Sequence, residues 1–188
     1  MLDPKIIDMA RERIEVAIEE RWTTLARETS EITSRMVSRG VFRSSMTANQ
    51  FLELYRNELD IQACIAWGHL KTVLMTVGIR DLSELSTDLK SFIEETVNRL
   101  THELMKRLEK VFRPFEKMYR LVANPRDHLE KAKTHAIRKI YTEIDLFEAA
   151  LTQKAKAAED PSGTHITISG GQVGILQTGA FSTASMAV

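Results

Sequence analysis

Four stretches of the first 160 residues repeat apolar side chains at intervals of three, four or seven residues. The most regular stripe runs from Leu89 to Met118, and comparable stripes occur at 7–36, 51–77 and 129–151. This spacing puts apolar side chains on one face of an α-helix and leaves the opposite face polar. Long helices of this kind are marginal alone in water, so they need partners along their length. The sequence therefore predicts an all-α fold: an antiparallel bundle of about four long helices with coiled-coil-like packing.

Capping residues predict where the first two helices start and end. Asp3 followed by Pro4 suits a helix start, because Asp accepts from free N–H groups and Pro needs no donor there. Gly40 suits the end of that helix. Thr47 and Gln50 match the capping-box pattern, which predicts that the second helix begins at Thr47.

A proline interrupts the most regular stripe. The third helix starts at either Asp81 or Ser86, and the sequence leaves both starts open. Pro114 has no N–H to donate, so it is expected to kink this helix or split it after Phe112. Asn124 followed by proline repeats the cap pattern and predicts the start of a fourth helix.

The chain changes character after residue 160. The predicted bundle, 1–160, carries all 26 basic and all 26 acidic residues, whereas 161–188 contain none. This Gly-, Ser- and Thr-rich tail shows the alternation and glycine turns of short strands, predicted near 164–168, 172–178 and 181–187. Three such strands have little core of their own. We therefore expect a β-forming tail that pairs with something.

Residues that carry enzyme chemistry do not form recognisable motifs. The five histidines make no His-Glu-x-x-His or Glu-x-x-His pattern, and the tail glycines make no phosphate-binding loop. His128 and His135, seven residues apart, are interpreted as solvated surface residues. The single cysteine, Cys64, lies in an apolar run and is interpreted as a buried structural thiol. We expect no enzymatic activity, metal or cofactor, and the lone thiol favours a reducing, cytoplasmic setting.

Positive charge is concentrated in one region although the net charge is zero. Residues 99–140 hold twelve basic and five acidic residues, whereas the flanking 1–98 and 141–160 are net acidic. The favoured interpretation is that this region faces the acidic first helix, within one bundle or between subunits. The alternative is binding of nucleic acid or an anionic membrane. The candidate anion-binding residues are Lys106, Arg107, Lys110, Arg113 and Lys117.

A short motif lies inside the tail. Residues 171–179 read GQVGILQTG, and Leu176, Gln177 and Gly179 match an aliphatic–Gln–aliphatic–Gly core except that Thr178 replaces its second aliphatic residue. Over about 20 residues the tail resembles the amyloid-signalling segments, similar to the RIP homotypic interaction motif, of bacterial immune proteins. That resemblance implies that the helical body is an effector or adaptor in antiviral defence, recruited through templated β-pairing of the tail.

Together these patterns predict a non-enzymatic protein that homo-oligomerises through its helical surface and its tail. The tail positions expected to pair are Ile166, Ile168, Val173, Ile175, Leu176, Gln177, Gly179 and Phe181. Open alternatives for the tail are a closed β-assembly of a structural homo-oligomer, a strand donated to another protein's sheet, and a disordered end. Open alternatives for the whole chain are a nucleic-acid-binding helical protein and a membrane-active effector using 61–79 and the basic region. We expect 61–79 to be a buried helix and not a membrane span.

Overall fold

The fold is an antiparallel bundle of four long helices, as the sequence predicts. A computed structural model describes residues 2–79, 82, 85–118, 124–159, 165–169 and 172–176. The helices are α1 (Pro4–Ser38), α2 (Ser45–Val77), α3 (Ser86–Phe112) and α4 (Pro125–Glu159), and a 3-10 helix (Arg113–Met118) follows α3.

The helices alternate in direction around the bundle. α2 packs against α1, α3 and α4, and α3 also packs against α4. α1 and α3 meet through polar contacts: the Leu2 amide donates to the Asp88 carboxylate at 2.7 Å, and further along Arg99 donates to Glu15 at 3.2 Å. These contacts advance together along both helices, so α1 and α3 are parallel. Arg21 of α1 contacts Glu58 of α2, whereas Arg35 contacts Gln50, so α2 lies antiparallel to α1.

Several predicted helix boundaries are confirmed. The side chains of Asp3 and Asn124 accept from amides in the first turns of α1 and α4, at 2.9 and 3.0 Å. Gly40 follows α1 with a φ of 68°, which favours glycine because it has no Cβ. α3 ends at Phe112, and the chain continues as a 3-10 helix through Pro114, as expected for a residue that cannot donate a backbone hydrogen bond.

The predicted start of α2 at Thr47 is wrong. The helix begins at Ser45, and the Ser44 hydroxyl accepts from the Thr47 amide at 3.2 Å. The Thr47 hydroxyl instead donates to the Val41 carbonyl at 2.9 Å, so it closes the preceding loop. For α3, the structure has the later of the two expected starts, at Ser86, whereas Asp81 lies outside the described residues.

The apolar stripes form one continuous core. Burial of each large apolar side chain contributes about 1.5–3 kcal/mol. The buried members of the predicted stripes include Ile14, Ile18, Leu25, Met36, Phe51, Tyr55, Leu59, Leu70, Leu89, Ile93, Val97, Leu104, Leu108, Phe115, Leu129, Ala136, Ile140 and Ile144. Val77, which the second stripe also included, is exposed, so the prediction at that position is wrong.

The described residues of the tail include two short strands. β1 (His165–Ser169) and β2 (Gln172–Leu176) pair antiparallel, with Ile166 opposite Ile175 and Ile168 opposite Val173. The register therefore aligns aliphatic positions of one strand with aliphatic positions of the other. The strand expected near 181–187 lies outside the described residues.

Candidate functional site

An open groove runs along the outside of the bundle between the first half of α1 and the end of α2. Its volume is about 720 Å³, and its apolar lining includes Met9 and Val16 from α1 and Val73 and Val77 from α2. Met9 is 43 %, Val16 61 % and Val77 49 % exposed. Exposed apolar side chains gathered in a concave surface are typical of a binding site. The groove is therefore a candidate interaction surface that the sequence analysis did not identify.

Charged side chains on α1 stand at the edge of the groove. Glu12, Arg13 and Glu20 all line it. Their neighbours Arg11 and Glu15 pair with Glu95 and Arg99 of α3. Within the described ranges, no ion pair engages Glu12, Arg13 or Glu20. The groove therefore combines an apolar floor with charges that are free to meet a partner.

Beside the groove, the outer face of α2 is uncharged over several turns. Its exposed residues between 61 and 77 include Ile61, Cys64, Gly68, Thr72, Met75 and Thr76. The one basic residue of the stretch, Lys71, is half-buried, and its ammonium lies 4.9 Å from the centre of the Phe147 ring. The expectation that 61–79 is a buried helix is therefore wrong for one of its two faces.

The expectation of a buried thiol is also wrong, because Cys64 is exposed. Helical geometry explains this: Cys64 lies three residues after Ile61 and four before Gly68, on the outward face, whereas Ala63 and Trp67 face the core. Because this segment has apolar residues on both faces, its sequence periodicity does not show which face is exposed. Cys64 and the residues around it belong to the surface that adjoins the groove.

A buried polar cluster joins α1 to α2 just beyond the groove. Glu58 is 1 % exposed and accepts from Arg21 Nε at 3.2 Å and from Gln62 Nε2 at 2.8 Å, while Arg21 Nη2 donates to its other oxygen. The hydrogen bond to Glu58 raises the pKa of Arg21 above its ordinary value, against the opposing effect of burial. Because these groups satisfy one another only in this alignment, they favour a single register between the helices.

The sequence analysis did not identify this cluster. The signal was nevertheless present. Glu58 lies three residues after Tyr55 and one before Leu59, both buried, so the helical period itself places the carboxylate on the buried side of α2.

Two of the candidate anion-binding residues lie on different sides of α3, since Lys106 lines a groove shared with α4 and Arg107 contacts α1. Lys106 pairs with Glu103 at 2.8 Å, and the guanidinium of Arg107 lies 4.3 Å from the centre of the Trp22 ring of α1. Lys110 and Arg113 are exposed. The side chain of Lys117 lies outside the description.

A second groove, between α3 and α4, contains further basic residues of this region. It has a volume of about 470 Å³, and its lining includes Lys106, Arg126 and Lys133. Each of these has an acidic partner: Glu103 for Lys106, Glu109 for Arg126 at 3.3 Å, and Glu130 for Lys133 at 2.5 Å. The local charge is thus largely neutralised by pairs within the bundle, which disfavours this groove as an anion site.

The histidine pair is only partly as expected. His135 is exposed, whereas His128 is half-buried and its Nε2 atom has no hydrogen-bond partner among the described residues. Burial lowers the pKa of His128, and the charge of Arg56 lowers it further. The interpretation of both residues as solvated is therefore wrong for His128.

Acidification is expected to weaken the fold through His128. Its folded-state pKa lies below the ordinary value of about 6.5, so the unfolded chain binds the proton first. Stability is then lost as the pH falls from about 6.5 through the folded-state pKa, and above about pH 6.5 the residue contributes no pH dependence. Urea midpoints at pH 7.5 and 5.5 measure the effect. His128→Gln should reduce the difference between the two midpoints. An identical difference in the wild type and His128→Gln contradicts the prediction.

The tail residues proposed for oligomerisation divide into two groups. Ile166, Ile168, Val173, Ile175 and Leu176 lie in β1 and β2, whereas Gln177, Gly179 and Phe181 lie outside the described residues. Their pairing with other copies stays a prediction.

Across the described ranges, no three or more His, Cys, Asp or Glu side chains cluster as metal ligands. None of the helices in the described part of the chain has an apolar stretch sufficient to cross a membrane. The chain matches no known protein family, no curated protein and no solved structure.

Proposed function

We propose that this chain is a non-enzymatic assembly protein that associates with copies of itself through its C-terminal tail and the outer surface of its bundle. One observation carries the proposal: among the described residues, the sheet of the uncharged tail has only two strands. A two-stranded hairpin is marginal alone in water, and its edges present unpaired N–H and C=O groups to another strand. Further copies of the tail supply such strands.

The composition of the tail supports pairing between identical copies. Because 161–188 contain no Asp, Glu, Lys or Arg, stacking copies brings no rows of these charges together. The register already aligns Ile166 with Ile175 and Ile168 with Val173. Templated β-pairing of this kind is what the resemblance to bacterial amyloid-signalling segments implies. We therefore propose an adaptor or effector role in bacterial defence, in the cytoplasm.

Deleting 161–188 is expected to lower the oligomeric state while leaving the helices folded. The cut falls beyond Glu159, the last residue of α4, so every helix of the bundle is retained. Light scattering measures the mass, and circular dichroism measures the helix content. An unchanged mass in a deletion variant that keeps its helix content contradicts the proposal.

Paired substitutions in the intact chain give a sharper version of this test. Ile166→Asp with Ile175→Asp places two charges at opposed aliphatic positions, and should dissociate the tail-mediated assembly. Thr167→Asp with Ser169→Asp adds the same charge at polar positions and should perturb assembly less. Equal effects of the two pairs indicate that added charge alone, and not the aliphatic positions, is responsible.

The isolated peptide 164–188 separates signalling from structural assembly. Seeded, concentration-dependent fibres with a strand spacing of about 4.7–4.8 Å indicate the templated stack of a signalling motif. A soluble oligomer of fixed size indicates a closed β-assembly instead.

A further inference from the structure

The α1 side of the groove carries opposite charges at equal distances from its centre. Arg13 and Glu20 both line the groove and are seven residues apart, so they lie on the same face of α1, two turns from each other. Val16 and Ala17 lie midway between them and also line the groove. Among the described residues neither Arg13 nor Glu20 has an ion-pair partner, so both charges are available to another molecule.

A two-fold axis between Val16 and Ala17 satisfies both charges at once. When two copies of α1 cross antiparallel at this point, Arg13 of each copy faces Glu20 of the other, about 5 Å to either side of the axis. The exposed side chain of Val16 then lies near the axis, where it is covered by its own symmetry mate. The Arg13 and Glu20 positions of the groove are therefore complementary to their own symmetry mates in this orientation.

We infer that the groove between α1 and α2 is an isologous dimerisation surface, occupied by α1 of a second copy in antiparallel orientation. This deepens the proposed self-association by assigning the helical part of the interface, and it does not depend on how the tail pairs. The uncharged outer face of α2 beside the groove enlarges the area that two copies can cover without desolvating an unpaired charge.

A second copy fits the groove better than an unrelated helix. Any occupant must present an acid opposite Arg13 and a base opposite Glu20, with small or apolar residues between them. α1 itself meets this requirement, with the same spacing and the reverse order that antiparallel crossing needs. An unrelated partner would have to match that spacing independently.

Substitution at the centre of the groove tests the surface. The starting protein is the full-length chain with Ile166→Asp and Ile175→Asp, so that tail pairing does not mask the dimer. Adding Val16→Asp should raise the dimer dissociation constant at least about tenfold, because two copies of the new charge meet near the axis. Val37→Asp is the matched control: Val37 lies on the same helix, is 57 % exposed and does not line the groove. Sedimentation equilibrium should show dimers for this control. The inference is overturned if the Val16→Asp and Val37→Asp variants dimerise equally. It is also overturned if the starting protein, without either substitution, is a monomer.

Charge reversal tests the antiparallel pairing itself. Arg13→Glu and Glu20→Arg, made singly, should each weaken the dimer about tenfold, because each places like charges face to face. The two changes together should restore the dissociation constant to within about threefold of the starting protein. A role of either residue in folding alone gives no such rescue, and circular dichroism checks the helix content of each variant. If both single variants weaken the dimer and the double variant does not restore it, the reciprocal pairing is overturned. It is also overturned if the single variants do not change the dissociation constant.

The same measurements distinguish failure here from failure of the tail proposal. If the groove inference is wrong but the tail assembles the chain, Val16→Asp in the otherwise unchanged chain leaves the mass unaltered, and the paired tail substitutions lower it. If the tail proposal is wrong but the groove inference holds, the tail substitutions leave the mass unaltered and Val16→Asp lowers it.

Discussion

Replacing Glu58 with alanine is expected to destabilise the folded chain by about 3–5 kcal/mol, because it breaks a buried ion pair from one side. Glu58 is 1 % exposed and accepts hydrogen bonds from both Arg21 and Gln62. Without it, the guanidinium of Arg21 is left half-buried without its counter-charge, and the Gln62 amide loses its acceptor in the core. Urea unfolding followed by circular dichroism measures the change in free energy.

Two further variants show whether the loss comes from burial. Glu53→Ala removes an exposed carboxylate on the same helix, one whose contact with Arg56 is solvent-exposed, and should change stability by no more than about 0.5 kcal/mol. Replacing both partners, Glu58→Leu with Arg21→Met, should cost less than Glu58→Ala, because no unpaired charge remains. A loss below about 1 kcal/mol for Glu58→Ala contradicts the assignment of Glu58 as a buried structural group.

The helices were predictable because local chemistry determines their ends and their buried faces. Capping and helix breaking involve atoms only one to four residues away, as at Asp3, Asn124 and Pro114. Such effects can therefore be predicted from the neighbouring sequence. The prediction for the start of α2 was wrong because two nearby residues can cap a helix. Ser44 and Thr47 both have hydroxyls that can accept from a backbone amide, and the sequence pattern does not show which of them does so.

The groove was not predictable because periodicity shows that a residue is apolar without showing what covers it. Met9 and Val16 repeat at seven residues, as core residues do, but they lie on a face of α1 that no other described helix covers. Val77 follows the core stripe of α2 in sequence and is nevertheless exposed at the end of the bundle. Only the packing of four helices decides which stripe becomes core and which becomes surface.

The tail poses a different problem from the groove. Alternation predicted strands near 164–168 and 172–178; β1 overlaps the first segment, one residue later at each end, and β2 lies within the second. Which strand pairs with their free edges depends on other molecules. The sequence of one chain does not show how a partner is placed against it. The groove and the tail nevertheless lead to the same proposal, because a second copy of the chain supplies the missing surface in both cases.

Replacing Phe115 with alanine is expected to destabilise the bundle by about 3–5 kcal/mol, the usual cost of removing a fully buried aromatic side chain. Phe115 lies in the 3-10 helix after α3 and is 0 % exposed. Its ring centre is 5.6 Å from those of Phe42 and Phe112 and 6.0 Å from that of Phe51. These four rings join the loop after α1, the start of α2 and the end of α3, so the substitution loosens three elements at once.

Two other substitutions in the same cluster serve as controls for the loss of stability in Phe115→Ala. Phe115→Leu keeps most of the volume and should cost less, and Phe42→Ala should also cost less because Phe42 is only half-buried. Urea unfolding gives the free energies, and light scattering in the absence of urea gives the mass. The cluster does not line the groove, so the folded Phe115→Ala variant should keep its oligomeric state while losing stability. If Phe115→Ala lowers the free energy of unfolding by less than about 1 kcal/mol, the 3-10 helix does not contribute to the core. If the folded variant has a lower mass, this end of the bundle takes part in assembly.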